Sequence, residues 1–557
     1  MAPRRLQVVV RVVGVLVLLL LASTFLISMR NVSLYEPDDR HTLPTVRGPV
    51  LSVRLRDPSQ VDSLTPPSQH SQVHSQSQSR NQPQPQSQPQ SQPQPQPQPR
   101  VLIPREEVLS DNRPSRLDLL PAAGSVPKME NPAVVILTYN RPNYLRQTLD
   151  SLLALPTISD YTVYVSQDGE HEETVRMMST VYADRVIHFT NPHLSITQKT
   201  PIAFLAQHYG RALRHLFNKG KHSHVIICED DMVFAIDFLT LFEKTHHLLD
   251  LDPTLMCVSS WNDNGFSWFD LDNKRLQRTS FFPGLGWLLT KKLWQEIGEH
   301  WPDEHWDHWM RGSGVNQGRD CIYPEVSRNY NIGEKGANIE SKAFAQNFKD
   351  IRLNTEEIDF GDVSYLLKPN YDKYVENLVY EASANVIMPN SLRPLSSLTG
   401  TALVPYNPSE FKKLKQHLKI WDHPRAHYQY VSVLKTKKST LVLVNRYFSP
   451  WIPKAFHLPR DPNLRVLAGH QGESCVKACS RNSLQCIESQ FPYLNNCDEL
   501  SKFFPCDRWH CNVELGPDIP NYVSDSSHVK HGFCLVTGID STCRAQHKST
   551  SRICPCL

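Results

Sequence analysis

Residues 225–231 read Val-Ile-Ile-Cys-Glu-Asp-Asp, an apolar run that ends in three carboxylates. The run is typical of a strand buried in a parallel sheet, and such strands carry ligand sites just beyond their carboxyl ends. Three acidic side chains at one strand end repel one another unless a cation is shared between them. Oxygen ligands of this kind suit a hard divalent ion such as Mg2+ or Mn2+. The alternative is a solvated acidic turn that caps a following helix, predicted at residues 234–249.

Strand and helix patterns alternate on both sides of this stretch. Beside the acidic run, strands are predicted at residues 133–137, 161–166, 185–189, 255–260 and 286–289, with a later one at 441–444. Helices are predicted at residues 143–153, 171–182 and 201–217. In the first helix Leu145, Leu149 and Leu152 share one face. This alternation predicts an α/β fold with a mostly parallel sheet and helices on both faces.

The N-terminal part of the 557-residue chain has a different composition. Arg4, Arg5 and Arg11 precede an uncharged stretch at residues 12–29, which is near the lower length limit for a membrane-spanning helix. Positive charges before the span favour a cytosolic tail at residues 1–11 and a lumenal remainder. A cleaved secretory signal is the alternative. Residues 30–130, with Gln-Pro alternation at 82–100, predict a disordered stem.

Charge and cysteine content narrow the class further. The net charge is +3, and no basic run interleaves with aromatic residues, so nucleic acid is not an expected partner. Of 13 cysteines, ten lie between residues 475 and 556, which predicts a disulfide framework formed in an oxidising compartment. A zinc module is the alternative, because Cys475 and Cys479 have a tolerable metal spacing.

Two glycines mark a candidate ligand-binding stretch after the acidic run. Gly284 and Gly286 flank Leu285 and allow another group to approach the backbone closely. That group is either a bound ligand packed against the chain or, in the alternative, a neighbouring strand at a kinked sheet edge.

A cluster of tryptophans follows. Trp294, Trp301, Trp306 and Trp309 lie close together in sequence, and aromatic faces of this kind line sugar sites or form ordinary core. Asp307 stands within the cluster. A carboxylate in an apolar, partly dry setting is expected to have a raised pKa and suits a general base.

With these residues in view, residues 133–452 resemble the N-acetylglucosaminyltransferase I family. The matching stretches are Val165-Ser-Gln-Asp-Gly-Glu-His-Glu-Glu-Thr174, Gln207-His-Tyr209, Glu229-Asp-Asp231, Trp261-Asn-Asp-Asn-Gly265, Phe281-Phe-Pro-Gly-Leu-Gly-Trp287, Trp306-Asp307 and Trp309-Met-Arg311. The resemblance implies a GT-A nucleotide-diphospho-sugar transferase domain at residues 131–460. It also implies a UDP-GlcNAc donor, Mn2+ as cofactor and a Golgi membrane location. The reaction would be an inverting β1,2 transfer of GlcNAc to the 2-hydroxyl of an α-linked mannose in an N-glycan on a mannose-terminated glycoprotein.

The resemblance also implies roles for individual residues. Asp231 would bind the metal, and Asp307 would be the catalytic base. The implied substrate-binding residues are Arg141 at the donor phosphate, Asp168 and His208 at the uridine, Glu229 at the GlcNAc, Asp230 at the ribose, Leu285 and Trp306 around the sugar, and Asn338 in the loop that closes over the donor.

Cysteines and the donor loop show where this chain follows the family and where it departs. The resemblance implies a Cys257–Cys321 disulfide and leaves Cys228 free and buried. A second family cysteine pair is replaced by Tyr139 and Gly169.

Asn338 stands where the family usually has serine. The related enzymes that act on O-linked mannose have a similar asparagine. An O-mannosyl glycoprotein acceptor is therefore one alternative. A glycan-binding protein without turnover is another, although such a protein has no need of both Asp231 and Asp307.

The C-terminal segment, residues 466–557, resembles a different protein. Gly472-Glu-Ser-Cys-Val-Lys-Ala-Cys479 and the final Cys554-Pro-Cys556 are similar to the cysteine-rich end of N-acetylglucosaminyltransferase V. We expect a small module stabilised by disulfides that packs against the catalytic domain or positions the acceptor.

Overall fold

The computed structural model describes residues 126–192, 200–334, 347–421 and 423–557. The predicted cytosolic tail and membrane span, nearly all of the predicted stem, and Asn338 lie outside these residues. Within the described part of the chain, no helix is long and apolar enough to cross a membrane.

The described residues form four sheets. Their strands are β1 (Ala133–Thr138), β2 (Thr162–Asp168), β3 (Ile187–Asn191), β4 (His224–Glu229), β5 (Met232–Phe234), β6 (Leu255–Ser259), β7 (Leu276–Thr279), β8 (Trp287–Thr290), β9 (Asp320–Pro324), β10 (Asn329–Asn331), β11 (Gly400–Tyr406), β12 (Val431–Lys435), β13 (Ser439–Asn445), β14 (Arg465–Ala468), β15 (Cys511–Val513), β16 (Asn521–Val523), β17 (Cys534–Val536) and β18 (Thr550–Cys556).

Helices of one to four turns connect these strands. They are α1 (Pro142–Leu153), α2 (Glu172–Val181), α3 (Pro201–Arg214), α4 (Phe238–Thr245), α5 (Leu248–Leu251), α6 (Lys291–Ile297), α7 (Trp306–Arg311), α8 (Ser313–Asn316), α9 (Lys368–Ala382), α10 (Pro408–Leu418), α11 (Cys475–Ser480), α12 (Phe491–Leu494) and α13 (Cys497–Ser501).

The largest sheet in the described residues has the strand order β3-β2-β1-β4-β8-β6-β9-β7. Strands β3, β2, β1 and β4 pair in parallel, and so do β6 and β9. Strands β8 and β7 run antiparallel to their neighbours. The predicted mostly parallel α/β sheet is confirmed.

Side chains of β1 alternate between two apolar cores, one on each face of the sheet. Val134 and Ile136 pack into the core that contains Leu149 of α1. Val135 packs on the opposite face, in the core that contains Leu213 of α3. Burial of each such side chain contributes about 1.5–3 kcal/mol, so helices are held on both faces of the sheet as predicted.

The helix predicted at residues 234–249 is wrong in its first part. The chain continues from the acidic turn as strand β5, which pairs antiparallel with β10. Asp237 is fully buried in an ion pair with Arg328 at 2.9 Å, and this contact holds the chain until α4 begins at Phe238. The acidic triplet therefore does not cap a helix.

The glycine pair also has a structural explanation that differs from the prediction. Strand β8 lies between β4 and β6, in the middle of the sheet rather than at an edge. Gly286 has a φ of +57°, and a β-carbon there would lie 2.4 Å from Ser260 Oγ. The close approach at Gly286 is therefore to Ser260 of this chain rather than to a ligand.

The C-terminal cysteines form a separate module, which we call the cysteine-rich module (residues 465–557). Its sheet has the order β14-β18-β16-β17-β15. The ten thiols of this fully described segment form five disulfides: Cys475–Cys554, Cys479–Cys556, Cys486–Cys543, Cys497–Cys511 and Cys506–Cys534. Because each of these thiols is oxidised, the zinc alternative is wrong.

The remaining cysteines lie in the large sheet. Cys257 of β6 and Cys321 of β9 form the expected disulfide between paired strands. Cys228 of β4 is buried and is a free thiol, as expected.

Candidate functional site

Parallel strands β1, β2 and β4 end at one edge of the large sheet. In their registers Leu137 lies beside Glu229, and Thr138 lies beside Gln167. This arrangement brings together the residues that follow each strand, which is where ligands bind in open α/β sheets. The candidate residues from three separate segments of the sequence therefore lie together at the carboxyl ends of these strands.

Arg141, just before α1, is paired with the acidic turn. Its guanidinium forms ion pairs with Asp230 and, at 2.8 Å, with Asp231. Thr138 donates a hydrogen bond of 2.7 Å to Asp230 Oδ2, and Asn331 donates one of 3.3 Å to Asp231 Oδ1. Both carboxylates are almost completely buried, so these contacts hold charge that water does not reach.

Burial and mutual repulsion change the protonation of this turn. Burial, with the charge of Asp231, raises the pKa of Glu229 to about 7. Burial also raises the pKa of Asp230, against the opposing effect of Arg141, to about 6. Near neutral pH the turn therefore carries less than its full negative charge, as expected where a cation is needed to balance it.

The donor atoms at this turn fit a hard divalent cation. Carboxylate oxygens are the ligands that Mg2+ and Mn2+ prefer, and Arg141 already contributes positive charge beside Asp231. The backbone at Gly333 passes so close that a β-carbon there would lie 2.1 Å from Asp231 Oδ2. Among the described residues, no group of three or more His, Cys, Asp or Glu side chains is arranged to hold a metal.

Helix α3 covers the end of β2 with two polar side chains. A hydrogen bond of 2.9 Å joins His208 Nε2 to Ser166 Oγ, which also accepts one of 2.8 Å from Asn191. One turn further along, Arg211 forms an ion pair of 2.8 Å with Asp168. The structure thus brings Asp168 and His208, the predicted uridine contacts, to the same strand end.

Tyr209, next to His208 on α3, connects the strand ends to the tryptophan cluster. Its hydroxyl donates a hydrogen bond of 2.6 Å to Glu229 Oε1, and its ring stacks on Trp306 with centroids 4.2 Å apart. Burial and the neighbouring Glu229 raise the pKa of Tyr209 well above its ordinary value, so the hydroxyl stays protonated and donates. Asp307 is close enough for its charge to contribute to that rise.

The expected raised pKa of Asp307 is wrong. Burial acts to raise the pKa, but the Arg311 guanidinium, 2.7 Å away on the next turn of α7, outweighs it and keeps the pKa below the ordinary value. The carboxylate is 37% exposed, so it is neither isolated nor dry. Asp307 is ionised throughout the neutral range, as a group that accepts a proton must be.

Trp306 and Leu285, the residues predicted to surround the sugar, differ in burial. Trp306 is buried, and its ring also lies parallel to those of Trp287 and Trp301 at about 6 Å. Leu285 is half-buried, and its carbonyl accepts a hydrogen bond of 3.2 Å from Ser259. Most of the tryptophan cluster is therefore core, and its packing fixes the position of α7.

Sequence reasoning missed several residues that hold the site together. Tyr209 lies within a stretch already quoted for its resemblance, but its partner Glu229 could not be read from sequence. Arg311 is four residues after Asp307, which is the usual spacing for an ion pair on a helix and was a usable signal. Thr138 needed the strand order before its contact with Asp230 could be expected.

The fold and the site define an α/β protein with a cluster of polar and charged side chains at the carboxyl ends of a mostly parallel sheet. The model of the GNT-I family matches residues 115–449, which is more than half of the chain. The chain belongs to the GNT-I family, and the resemblance inferred from the motifs is confirmed.

Comparison with individual proteins gives a relative from Arabidopsis thaliana named alpha-1,3-mannosyl-glycoprotein 2-beta-N-acetylglucosaminyltransferase. It is 40% identical over 260 residues, which cover 45% of this chain and 58% of that protein. The match thus spans less than two thirds of the relative.

Solved structures give weaker likenesses. S. aureus TarS 1-349 in complex with UDP-GlcNAc has a TM-score of 0.27 and 10% identity, covering 52% of this chain and 72% of that one. The mannosyltransferase PcManGT from Pyrobaculum calidifontis, in complex with GDP-Man and Mn2+, has a TM-score of 0.26 and 18% identity, covering 36% and 56%. We draw no conclusion from similarity at this level.

The raised pKa of Glu229 gives a pH dependence of stability. A carboxyl group whose pKa is higher in the folded chain contributes stability that is fully present below about pH 4.5 and is lost as the pH rises through about 7. In metal-free protein, we expect Glu229→Gln to gain melting temperature relative to wild type by about 1–2 °C between about pH 6 and about pH 8.

The measurement is a thermal melt of both chains in EDTA across this pH range. Glu381→Gln, which alters an exposed carboxylate on α9, is the control for a general effect of charge. An offset between Glu229→Gln and wild type that does not change with pH would show that Glu229 titrates normally.

Proposed function

We propose that this chain is an inverting glycosyltransferase. It transfers GlcNAc from UDP-GlcNAc to the 2-hydroxyl of an α-linked mannose in N-glycans, forming a β1,2 linkage. Such a reaction initiates the synthesis of hybrid and complex N-glycans. Membership of the GNT-I family and the name of the plant relative support this proposal.

The observation that carries the proposal is the connection made by Tyr209. A hydrogen bond links Tyr209 to Glu229 at the strand end, and ring stacking links it to Trp306 at the start of α7. Asp307 is the next residue. The proposed base is thus connected through a single side chain, Tyr209, to the carboxylate proposed to bind the GlcNAc.

The donor would bind to residues along the carboxyl ends of the parallel strands. Asp168 and His208 would hold the uridine, and Asp230 the ribose. Arg141 would turn from the acidic residues toward the diphosphate, where its charge is needed. Leu285, Trp306 and Asn338 would complete the donor pocket, with Asn338 as an amide donor to phosphate.

The chemical step is one in-line displacement. The oxygen of the acceptor hydroxyl forms a bond to the anomeric carbon, and Asp307 accepts the proton that this hydroxyl loses. The bond between that carbon and the diphosphate oxygen breaks, and UDP leaves with the electron pair. Once turned toward the diphosphate, Arg141 would offset the charge that develops there.

Asp231 would hold Mn2+ together with oxygens of the donor diphosphate. When bound, the ion supplies a further positive charge beside the leaving group. The position of Asp231 beside Glu229 and Asp230 in one buried turn supports this assignment, because added positive charge would relieve the repulsion among the carboxylates.

We further propose that residues 12–29 anchor the chain in the Golgi membrane as a single span. The catalytic domain at residues 131–460 and the cysteine-rich segment at 466–557 would then be lumenal. The short apolar stretch suits the thinner membranes of the early secretory route. The disulfides in the large sheet and in the cysteine-rich module support an oxidising compartment.

An acceptor assay tests the proposed function. The full-length chain in detergent is incubated with UDP-GlcNAc, Mn2+ and either a mannose-terminated N-glycan or an O-mannosyl peptide. We expect β1,2-linked GlcNAc on the N-glycan. Transfer to the O-mannosyl peptide alone would replace the proposed acceptor, and transfer to neither, with retained glycan binding, would favour a glycan-binding protein.

Replacement of the proposed base gives a sharper test. We expect Asp307→Asn to lower kcat by about 100-fold or more, the lower range for loss of a general base. Binding of UDP-GlcNAc, measured by calorimetry with Mn2+, is expected to persist because Asp307 lies beyond the donor's uridine and phosphate contacts.

Asp372→Asn is the matched control for this variant. Asp372 forms an ion pair of 2.8 Å with Lys368, which lies four residues earlier on α9, as Arg311 lies four residues from Asp307. The side chain of Asp372 is exposed to a similar extent. Near-normal turnover in Asp307→Asn, or an equal loss in Asp372→Asn, would remove Asp307 from the role of base.

A further inference from the structure

The cysteine-rich module packs directly against the segment that carries Asp307. Trp509 stacks on His300 with ring centroids 3.9 Å apart and lies 6.1 Å from the ring of Trp309 on α7. The neighbouring Arg508 approaches Glu296 of α6 at 3.7 Å. An aromatic side chain of the module thus completes the tryptophan cluster of the catalytic domain.

Backbone contacts bring the two parts still closer. A β-carbon at Gly314 of α8 would lie 1.8 Å from the carbonyl oxygen of Arg508. One at Gly312 would lie 2.9 Å from the carbonyl oxygen of Cys511. The end of α7 and the start of α8 therefore rest on the module's main chain with no room for a side chain between them.

A charged contact holds the other end of the helix. Lys530 of the module forms ion pairs with Glu304, two residues before α7, at 3.5 Å and with Glu514 of the module at 2.6 Å. These groups are largely buried, so water screens them less than it would a surface pair. Helix α7 is thus contacted by the module at both of its ends.

Disulfides fix the module's contact surface. Cys511 is joined to Cys497 on α13, and Cys506 is joined to Cys534 on β17. The segment between Cys506 and Cys511, which includes Trp509, is thereby covalently held at both ends. It forms a rigid support rather than a free loop.

We propose that the cysteine-rich module is part of the active site, with Trp509 as a positioning residue that holds α7 and hence Asp307 and Trp306 in place. The inference rests on the proposed transferase function. Displacement of a catalytic group by about 1 Å can cost about 100-fold in rate even when the altered residue is remote, so a support of this kind affects turnover.

The packing of Trp509 separates this role from general stabilisation of the module. Trp509 packs against the apolar core that contains Trp306 and Trp309, which belongs to the catalytic domain. Phe504, five residues earlier, stacks on Tyr522 with centroids 5.2 Å apart and packs against the module's own core. Both rings are half-buried and stacked, so Phe504 provides a matched control.

The test compares steady-state kinetics of Trp509→Ala, Trp509→Phe and Phe504→Ala in the full-length chain. We expect Trp509→Ala to lower kcat by about tenfold or more while the KM for UDP-GlcNAc changes by less than about twofold. The proposed uridine and phosphate contacts do not involve α7, and Trp306 is the one proposed donor contact on this helix, so the change in KM is expected to be smaller than the change in kcat. Trp509→Phe should recover most of the turnover, and Phe504→Ala should lower stability with little change in kcat.

Equal kcat values for Trp509→Ala and Phe504→Ala, or no recovery with Trp509→Phe, would overturn the proposal. If Trp509→Ala fails to fold, Lys530→Gln provides the milder test, with Lys502→Gln as its control because Lys502 pairs with Glu499 inside the module. A lower kcat in Lys530→Gln alone supports the proposal, and equal values for both contradict it. Wild-type chain without transfer activity would refute the proposed function instead.

Discussion

The hydrogen bond between Tyr209 and Glu229, together with the stacking of Tyr209 on Trp306, is the contact on which the site depends. It joins an element of the sheet edge to a short helix that lies more than 70 residues away in sequence. Without it, the acidic turn and Asp307 would be two separate polar features. Because the Tyr209 hydroxyl stays protonated and uncharged, Tyr209 can lie between the carboxylates of Glu229 and Asp307 at little electrostatic cost.

Opposite electrostatic settings then distinguish the acidic turn from α7. At the strand end, burial and like charges raise the pKa of Glu229 and Asp230. An added positive charge would reduce the repulsion among these carboxylates. At α7, Arg311 keeps the pKa of Asp307 low and the carboxylate ionised. Pairs of groups whose environments differ in this way are a common sign of divided chemical roles.

Sequence patterns were sufficient to predict the mostly parallel sheet, because the period of buried side chains in β1, β4 and α1 is set by local geometry. They also predicted that the acidic turn follows a buried strand, as it does at the end of β4. They failed where long-range contacts decide the result. The ion pair of Asp237 with Arg328 delays the start of a predicted helix, and Ser260 rather than a ligand occupies the space beside Gly286. The pKa of Asp307 was predicted in the wrong direction because its apolar neighbours in sequence were weighed and Arg311 was not.

The most direct measurement is an experimental structure of the chain with UDP-GlcNAc and Mn2+ bound. We expect the GlcNAc ring between Glu229 and Asp307, with the uridine at Asp168 and His208 and the metal at Asp231. The open face of the anomeric carbon should point toward Asp307, near enough for a hydroxyl placed there to lie about 2.6–3.2 Å from the carboxylate. A donor sugar whose open face points away from Asp307, or that binds in a different cavity, would contradict a single shared pocket.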